Sequence, residues 1–260
     1  MKKCKFFVTP YHYNLLKDTE RLSAFYEAIK KLAKGIVYDL GTGSGIFSYF
    51  AAPHAKFIFA IEKNEKIANY AKKNLYNFKN VKVINKDVFE FEFPEYADTI
   101  ICEMLDTALI DEKQVPVMNK AITFLKENGN VIPLGVINCV EPVDANIPHI
   151  IYERKGMEYK SLGKIKKYNE ILFLNKNKEK FKDTIRLQIK NSGILRGIKI
   201  ITFTLISEEI ICGPTPMMNT PIFIPVENEE VRAGDTIKLF LSYRMGGGLN
   251  TIKAKIKKIF

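Results

Sequence analysis

Residues 36–45 read Ile36-Val37-Tyr38-Asp39-Leu40-Gly41-Thr42-Gly43-Ser44-Gly45, and this stretch decides the fold. A β-branched and aromatic run ends in an acidic residue and a glycine-rich turn, and a helical pattern follows. The segment reads as strand, tight turn and helix N-terminus. Its glycines fall at 41, 43 and 45, whereas a dinucleotide fingerprint has its third glycine at 46, here Ile46. That third glycine lets a pyrophosphate approach the helix closely. Its absence points to a ligand without a pyrophosphate. Standing alone, a glycine triplet also fits a bare turn.

The next two apolar runs narrow the reading. Phe57-Ile58-Phe59-Ala60-Ile61 ends in Glu62, seventeen residues past Gly45. An acidic side chain at the tip of the second strand accepts from both hydroxyls of a ribose. Val81-Lys82-Val83-Ile84 leads to Asp87 and Val88, where an acidic group commonly accepts from an adenine amino group. Each acid alone also reads as a solvated strand end or a turn residue. In register with the glycine turn, they outline a nucleoside site, and S-adenosyl-L-methionine (SAM) fits it. Asp39, Gly41, Gly43, Gly45, Glu62, Asp87 and Val88 are the expected cofactor residues.

Working outward, Leu22–Ala33 and Glu65–Phe78 carry apolar residues at helical spacing. Strands are expected near 36–40, 56–61, 81–85, 98–102 and 130–137. This alternation predicts an α/β fold, a Rossmann-like parallel sheet with helices on both faces. After Pro133 the pattern changes to β-rich runs: Thr184–Ile189, Ile198–Ile206, Ile222–Val226, Thr236–Tyr243 and Thr251–Ile256. Gly/Pro/Asn turns separate them. The expected organisation is a SAM-binding domain with an N-terminal helix over 1–133, followed by an antiparallel sheet or barrel over 134–260.

Composition limits the class of protein. At 260 residues and 47% hydrophobic content the chain can build a substantial core. No apolar run approaches the ~18–20 residues that span a bilayer, and the basic start has too short an apolar stretch for a signal peptide. Cys4, Cys102, Cys139 and Cys212 lie far apart, so neither zinc nor disulfides are expected, and a cytoplasmic location is. Two glutamines against heavy use of Lys, Ile and Glu give a thermophile-like composition. The net charge is +11, and residues 151–200 hold fourteen Lys or Arg against five Asp or Glu. Such a patch fits RNA or an acidic protein, or a solvated lysine surface.

The fourth strand delivers Glu103 to the sheet's carboxyl edge, and Glu112 follows nine positions on. Two such carboxylates can clamp a planar guanidinium, each taking a pair of its N–H groups. They would aim one nitrogen at the methyl group and hold the positive charge during transfer. The alternative is that Asp111 or Glu112 opens a helix around Lys113–Lys126.

At these residues the sequence resembles the protein arginine methyltransferases, over most of the chain. Glu103 and Glu112 match the family's double-glutamate loop, Asp39–Ile46 its glycine motif and Glu62 its ribose carboxylate. His12, Leu16-Lys17-Asp18 and Arg21 match its His-x5-Asp-x2-Arg pattern, which implies that Arg21 grips the methionine carboxylate of SAM. The stretch Phe124–Pro133 resembles the family's lead into its fifth strand, and a β-barrel is expected beyond it.

The chain also departs from the family. Met104-Leu105-Asp106-Thr107 replaces the usual Pro-Met-Gly-Tyr, removing a tyrosine of the substrate site. Pro216-Met217-Met218-Asn219 stands where the family has Thr-His-Trp, which leaves Asp18 without its histidine partner. Met217 and Met218 are expected to form an apolar wall, with His12 and Asp18 closing over the cofactor. The aromatic N-terminal helix that closes over SAM is expected to be largely missing, and no dimerisation arm is evident, leaving the oligomeric state open. A protein arginine or similar cation is thus the first-ranked acceptor. An RNA methyltransferase using the 151–200 lysines ranks second and a non-catalytic scaffold third; no metal or membrane partner is expected.

Overall fold

Two short helices precede the first strand of the computed structural model, which describes residues 6–259. Helix α1 (Pro10–Lys17) begins with proline at its first turn, and the Thr9 hydroxyl accepts from the His12 N–H at 3.2 Å. Asp18 ends α1 and caps α2 (Thr19–Leu32), accepting from the Arg21 N–H at 3.3 Å. α2 buries Arg21, Phe25, Ala28 and Ile29 on one face.

Five strands follow: β1 (Ile36–Leu40), β2 (Phe57–Glu62), β3 (Val81–Asn85), β4 (Ala97–Cys102) and β5 (Leu125–Ile132). All pair in parallel, in the order β3-β2-β1-β4-β5. Helices α3 (Ile46–Ala51), α4 (Glu65–Leu75) and α5 (Gln114–Ala121) lie in the connections. β1 is buried along its whole length, as a central parallel strand should be. In the register, Leu40 lies beside both Ile61 and Cys102. The next residue of each chain segment, Gly41, Glu62 and Glu103, therefore reaches the same sheet edge. The strand order reverses about β1, the position at which such sheets open a crevice.

The second half is antiparallel. Its strands are β6 (Gly135–Asp144), β7 (Ile151–Tyr152), β8 (Lys160–Ser161), β9 (Lys166–Leu172), β10 (Lys180–Gln188), β11 (Gly193–Leu205), β12 (Ile211–Cys212), β13 (Ile222–Val231), β14 (Thr236–Arg244) and β15 (Lys253–Ile259). One sheet runs β7-β13-β11-β6-β8 and the other β10-β14-β15, a curled half-barrel. One hydrophobic core is continuous from α2 and β1 to β14.

Several elements differ from the sequence reading. α1, which carries Tyr11 and Tyr13, is a helix beyond those expected from the sequence. It buries no residue and therefore shows no apolar stripe to find. The expected strand at 130–137 is two strands that meet at Pro133, and the helix expected to Lys126 ends at Ala121 in a short 3-10 turn. β7, β8 and β12 have two residues each, too short for any alternation. Cys4 lies outside the described residues.

Phe25 ties the helical layer to the sheet. It is fully buried, stacks on Phe47 of α3 at 4.6 Å between centroids, and lies 5.8 Å from the Arg21 guanidinium. Phe25→Ala is expected to lower the unfolding free energy by about 3–5 kcal/mol in urea titrations. A loss below about 1 kcal/mol would show that this layer packs more loosely than described.

Candidate active site

A cavity of about 480 Å³ opens at the carboxyl edge of the parallel sheet. It brings together Arg21, Asp39, Gly41, Gly43, Glu62, Asp87, Val88, Glu103 and Glu112, with His12 and Met217 at its walls. Three expected residues do not line it. Gly45 sits at φ +88 where the turn enters α3, against Leu75. Asp18 and Met218 are buried behind the wall.

The glycine turn is held by carboxylates. The Asp39 Oδ2 accepts from the Thr42 hydroxyl at 2.6 Å, the Ser48 hydroxyl at 2.6 Å and the Ser48 N–H at 3.0 Å. Burial pushes the Asp39 carboxyl up to about 6, against these three donors. Glu62 accepts from the Gly43 N–H at 3.1 Å and the Asn64 N–H at 2.8 Å. Each of its oxygens keeps a lone pair for another donor. A Cβ at Gly43 would lie 2.8 Å from the His12 Nε2, and one at Gly41 would lie 2.6 Å from the Met104 Cε. Both positions have positive φ, so glycine is required twice over.

Arg21 lines the cavity beside Glu103. Its guanidinium is 5.2 Å from the Phe47 ring centroid, and its Nη2 donates to the Glu103 carboxylate. Only 3% of the Arg21 side chain is exposed, and its Nε has no partner. The guanidinium of an arginine that lines a cavity suits a ligand carboxylate. Burial raises the Glu103 pKa, Arg21 opposes the rise, and Glu112 and Asp18 add to it. Burial also lowers the His12 pKa against the pull of Glu62, and its Nδ1 lies 2.7 Å from the Thr9 hydroxyl.

The loop from Glu103 to Glu112 folds back through two residues of left-handed backbone, Ala108 (φ 56) and Leu109 (φ 59). The Asp106 carboxylate accepts from the Asp111 N–H at 2.8 Å and the Glu112 N–H at 3.2 Å. The helix-cap reading of Glu112 is corrected: α5 starts at Gln114, with Lys113 at the cap position and no side-chain cap bond. The antiparallel half holds the same loop. Thr202 accepts from the Ala108 N–H at 2.8 Å, and the Thr107 hydroxyl donates to the Thr220 carbonyl at 2.6 Å. The Gly246 and Gly248 N–H groups donate to the Leu109 and Ile110 carbonyls, each at 2.9 Å.

Four positions escaped the sequence reading. Gln114, fully buried, accepts from the Met104 N–H at 2.8 Å and donates to the Cys102 carbonyl at 2.7 Å, so it fixes the backbone on both sides of Glu103. Lys120 donates to the Val88, Phe89 and Phe91 carbonyls at 2.7–2.9 Å and shapes the loop after β3. Tyr11 lines the cavity; desolvation, then the charges of Glu103 and Glu112, raise its phenol pKa. Burial, then Asp106, Asp111 and Glu112, push the Tyr152 phenol up. These tyrosines come from α1 and β7, away from the sequence position where an aromatic is missing.

Asp18 is also partnered. Its Oδ2 accepts from the Thr215 hydroxyl at 2.6 Å and the Met217 N–H at 3.0 Å, in place of the absent histidine. The pairing faces Met217 to the cavity and turns Met218 into the core, 1% exposed, with its Sδ 3.7 Å from the Thr204 hydroxyl. The expected two-methionine wall is therefore one methionine. Cys102 is fully buried and burial raises its thiol pKa well above the ordinary value, so it has no nucleophilic character. Among the described residues no three His, Cys, Asp or Glu side chains cluster as metal ligands, and no helix is long and apolar enough to cross a membrane.

A five-stranded parallel sheet with a cavity at its carboxyl edge defines a class, and comparison with known proteins places the chain within it. Residues 32–188 match the methyltransferase domain family. An uncharacterized protein of Methanothermobacter thermautotrophicus is 49% identical over 97% of this chain and 99% of its own length, and one of Methanocaldococcus jannaschii is 38% identical over 98% and 99%. A probable histone-arginine methyltransferase of Arabidopsis thaliana is 34% identical over 46% of this chain and 24% of its own length. Among solved structures, the Trypanosoma brucei PRMT1 enzyme–prozyme complex with AdoHcy has a TM-score of 0.76 at 15% identity, covering 96% of this chain and 97% of that one. Arabidopsis thaliana protein arginine methyltransferase 10 has a TM-score of 0.76 at 19% identity, covering 90% and 87%. The chain belongs to the methyltransferase domain family: it is a SAM-dependent methyltransferase that resembles the protein arginine methyltransferases.

Asp106 makes the loop's stability depend on pH. Burial pushes its carboxyl up to about 7, the Asp111 and Glu112 N–H groups oppose this, and the Glu112 and Asp111 charges add to it. An unfolded aspartate titrates near ~3.9, so the native state holds a proton that the unfolded state has released. Native stability from this group is full below pH ~4 and is lost as pH rises to about 7. Asp106→Asn cannot ionise, so the variant's unfolding free energy minus the wild type's is expected to increase between these pH values. A difference that stays flat across the window would contradict this.

Proposed function

We propose that this methyltransferase transfers the methyl group of SAM to a guanidinium nitrogen of a protein arginine. The observation that carries the reading is that Glu103 and Glu112 share one cavity with Glu62, Asp87 and Arg21. The kinship with arginine methyltransferases supports it. In this reading Glu62 accepts from the ribose hydroxyls, Asp87 and the Val88 backbone hold the adenine, and Arg21 receives the methionine carboxylate. His12 closes the cofactor side, held by Thr9, while Asp18 positions the loop that presents Met217.

SAM supplies a methyl carbon made electrophilic by the sulfonium. Glu103 and Glu112 accept the acceptor's N–H groups and turn the free nitrogen toward that carbon. The new N–C bond forms as the S–C bond breaks, and the attacking nitrogen gives up one proton. Glu103, whose pKa burial raises, is placed to take that proton. The glutamates also hold the guanidinium charge, in a loop fixed by hydrogen bonds from both halves of the chain. Tyr11 and Met217 provide an aromatic ring and a thioether for the arginine's methylene stem.

The β-rich part over 134–260 is the substrate-side part of the molecule in this proposal, with 1–133 carrying the cofactor. A protein substrate fits better than RNA, because the 151–200 lysines do not act as one free patch. The Lys166 Nζ donates to the Arg186 carbonyl at 2.8 Å, Lys167 pairs with Glu170, and Lys199 pairs with Glu153. Cys102, Cys139 and Cys212 are buried free thiols, which supports a reducing, cytoplasmic setting.

Incubation of a lysate with methyl-labelled SAM is expected to give protease-sensitive label that hydrolysis releases as methylarginine. Label removed by RNase and resistant to protease would reject the arginine reading. With a peptide acceptor, Glu103→Gln should lower transfer by about 10²–10³-fold while leaving SAM affinity within a few-fold. Glu62→Ala should weaken SAM binding. Native-rate transfer by the Glu103 variant would reject the clamp.

A further inference from the structure

The excess positive charge of this chain converges on one sheet. Strands β10, β14 and β15 contain nine Lys or Arg and a single acid, Asp183. The register aligns their outward residues in rows. Lys182, Ser242 and Lys253 form one row, and Thr184, Phe240 and Lys255 the next. Arg186 lies two residues beyond Thr184 on the same exposed face. This grouping differs from the 151–200 patch of the sequence reading, since it joins β10 to strands that begin at Thr236 and Lys253.

An aromatic ring stands among these cations. Phe240 is half-buried in the middle strand, with the Lys257 Nζ 4.9 Å and the Lys182 Nζ 6.0 Å from its ring centroid. Phe240, Lys253 and Lys255 also border a shallow groove whose floor includes Ile224 and Pro225. Alternate residues on a strand stand about 6.7 Å apart, comparable with the step between phosphates of an extended single strand. Glu179 holds Arg244 at the end of the sheet, and the acidic run of β13 lies past Pro225 on a different strand.

We propose that the outer face of β10-β14-β15 binds single-stranded nucleic acid, with Lys182, Arg186, Lys253, Lys255 and Lys257 on phosphates and Phe240 stacking on a base. A cationic track with one aromatic platform is the arrangement that holds single strands without reading sequence. An acidic protein needs only the cations, whereas a single strand also uses a ring among them for its bases. The proposal does not depend on the methyl acceptor, because none of these residues lines the catalytic cavity.

Fluorescence anisotropy of the full chain with a twelve-nucleotide oligouridylate, at 50 and 200 mM salt, tests the proposal. Removing two phosphate contacts with Lys182→Glu/Lys255→Glu should weaken binding at least tenfold and flatten the log–log salt slope by about 1.4. Phe240→Ala should weaken binding about tenfold with the slope unchanged. Both variants should keep wild-type SAM binding and peptide methylation, which separates failure here from failure of the arginine reading. Wild-type affinity in the double variant would overturn the proposal. So would an unaltered affinity in Phe240→Ala together with equal displacement by a polyglutamate peptide, which would mark an acidic-protein surface instead.

Discussion

Two glutamates nine positions apart can face one cavity only if the chain between them folds back tightly. That turn is the constraint on which the rest of the site depends. A left-handed backbone at two non-glycine residues costs roughly 1–3 kcal/mol at each and persists only when its surroundings fix it. Here Asp106 holds the far end of the loop from inside, while Thr202, Thr220, Gly246 and Gly248 hold it from the antiparallel half. The half-barrel therefore does more than wall the cavity: it fixes where the second glutamate stands.

Arg21 links the cofactor side of this arrangement to the acceptor side. It is buried against Phe47, paired with Glu103 through one nitrogen, and left with an unpartnered Nε. A cation in this position offsets the cost of burying Glu103. In the proposed reaction the same group receives the cofactor's carboxylate. In that proposal one side chain sets both the electrostatics of Glu103 and the position of the methyl donor.

The parallel half was legible because buried parallel strands read as continuous apolar runs, and because the residues just past their ends share one edge. Gly41, Glu62 and Glu103 could be placed from that rule alone. The antiparallel half was legible as a class, since alternation marks its longer strands, but not in its two-residue pieces. α1 was missed because it buries nothing. Asp18 was left without a partner because the expected histidine is absent, while a threonine hydroxyl and a backbone N–H supply the bonds in its place. Gln114 and Lys120 act on backbone groups of other elements, 10 to 32 residues away in sequence, and a single polar residue on a helix carries no periodic signal. Met217 and Met218 looked equivalent, yet the Thr215–Asp18 bond sends one to the cavity and the other to the core.

The central claim is that one cavity holds the methyl donor with its reactive carbon toward Glu103 and Glu112. Isothermal titration of the folded chain with S-adenosylhomocysteine tests it most directly. One binding event per chain, lost when Arg21 is replaced by alanine in a variant whose circular dichroism is unchanged, is the predicted result. No heat of binding from well-folded protein would contradict it.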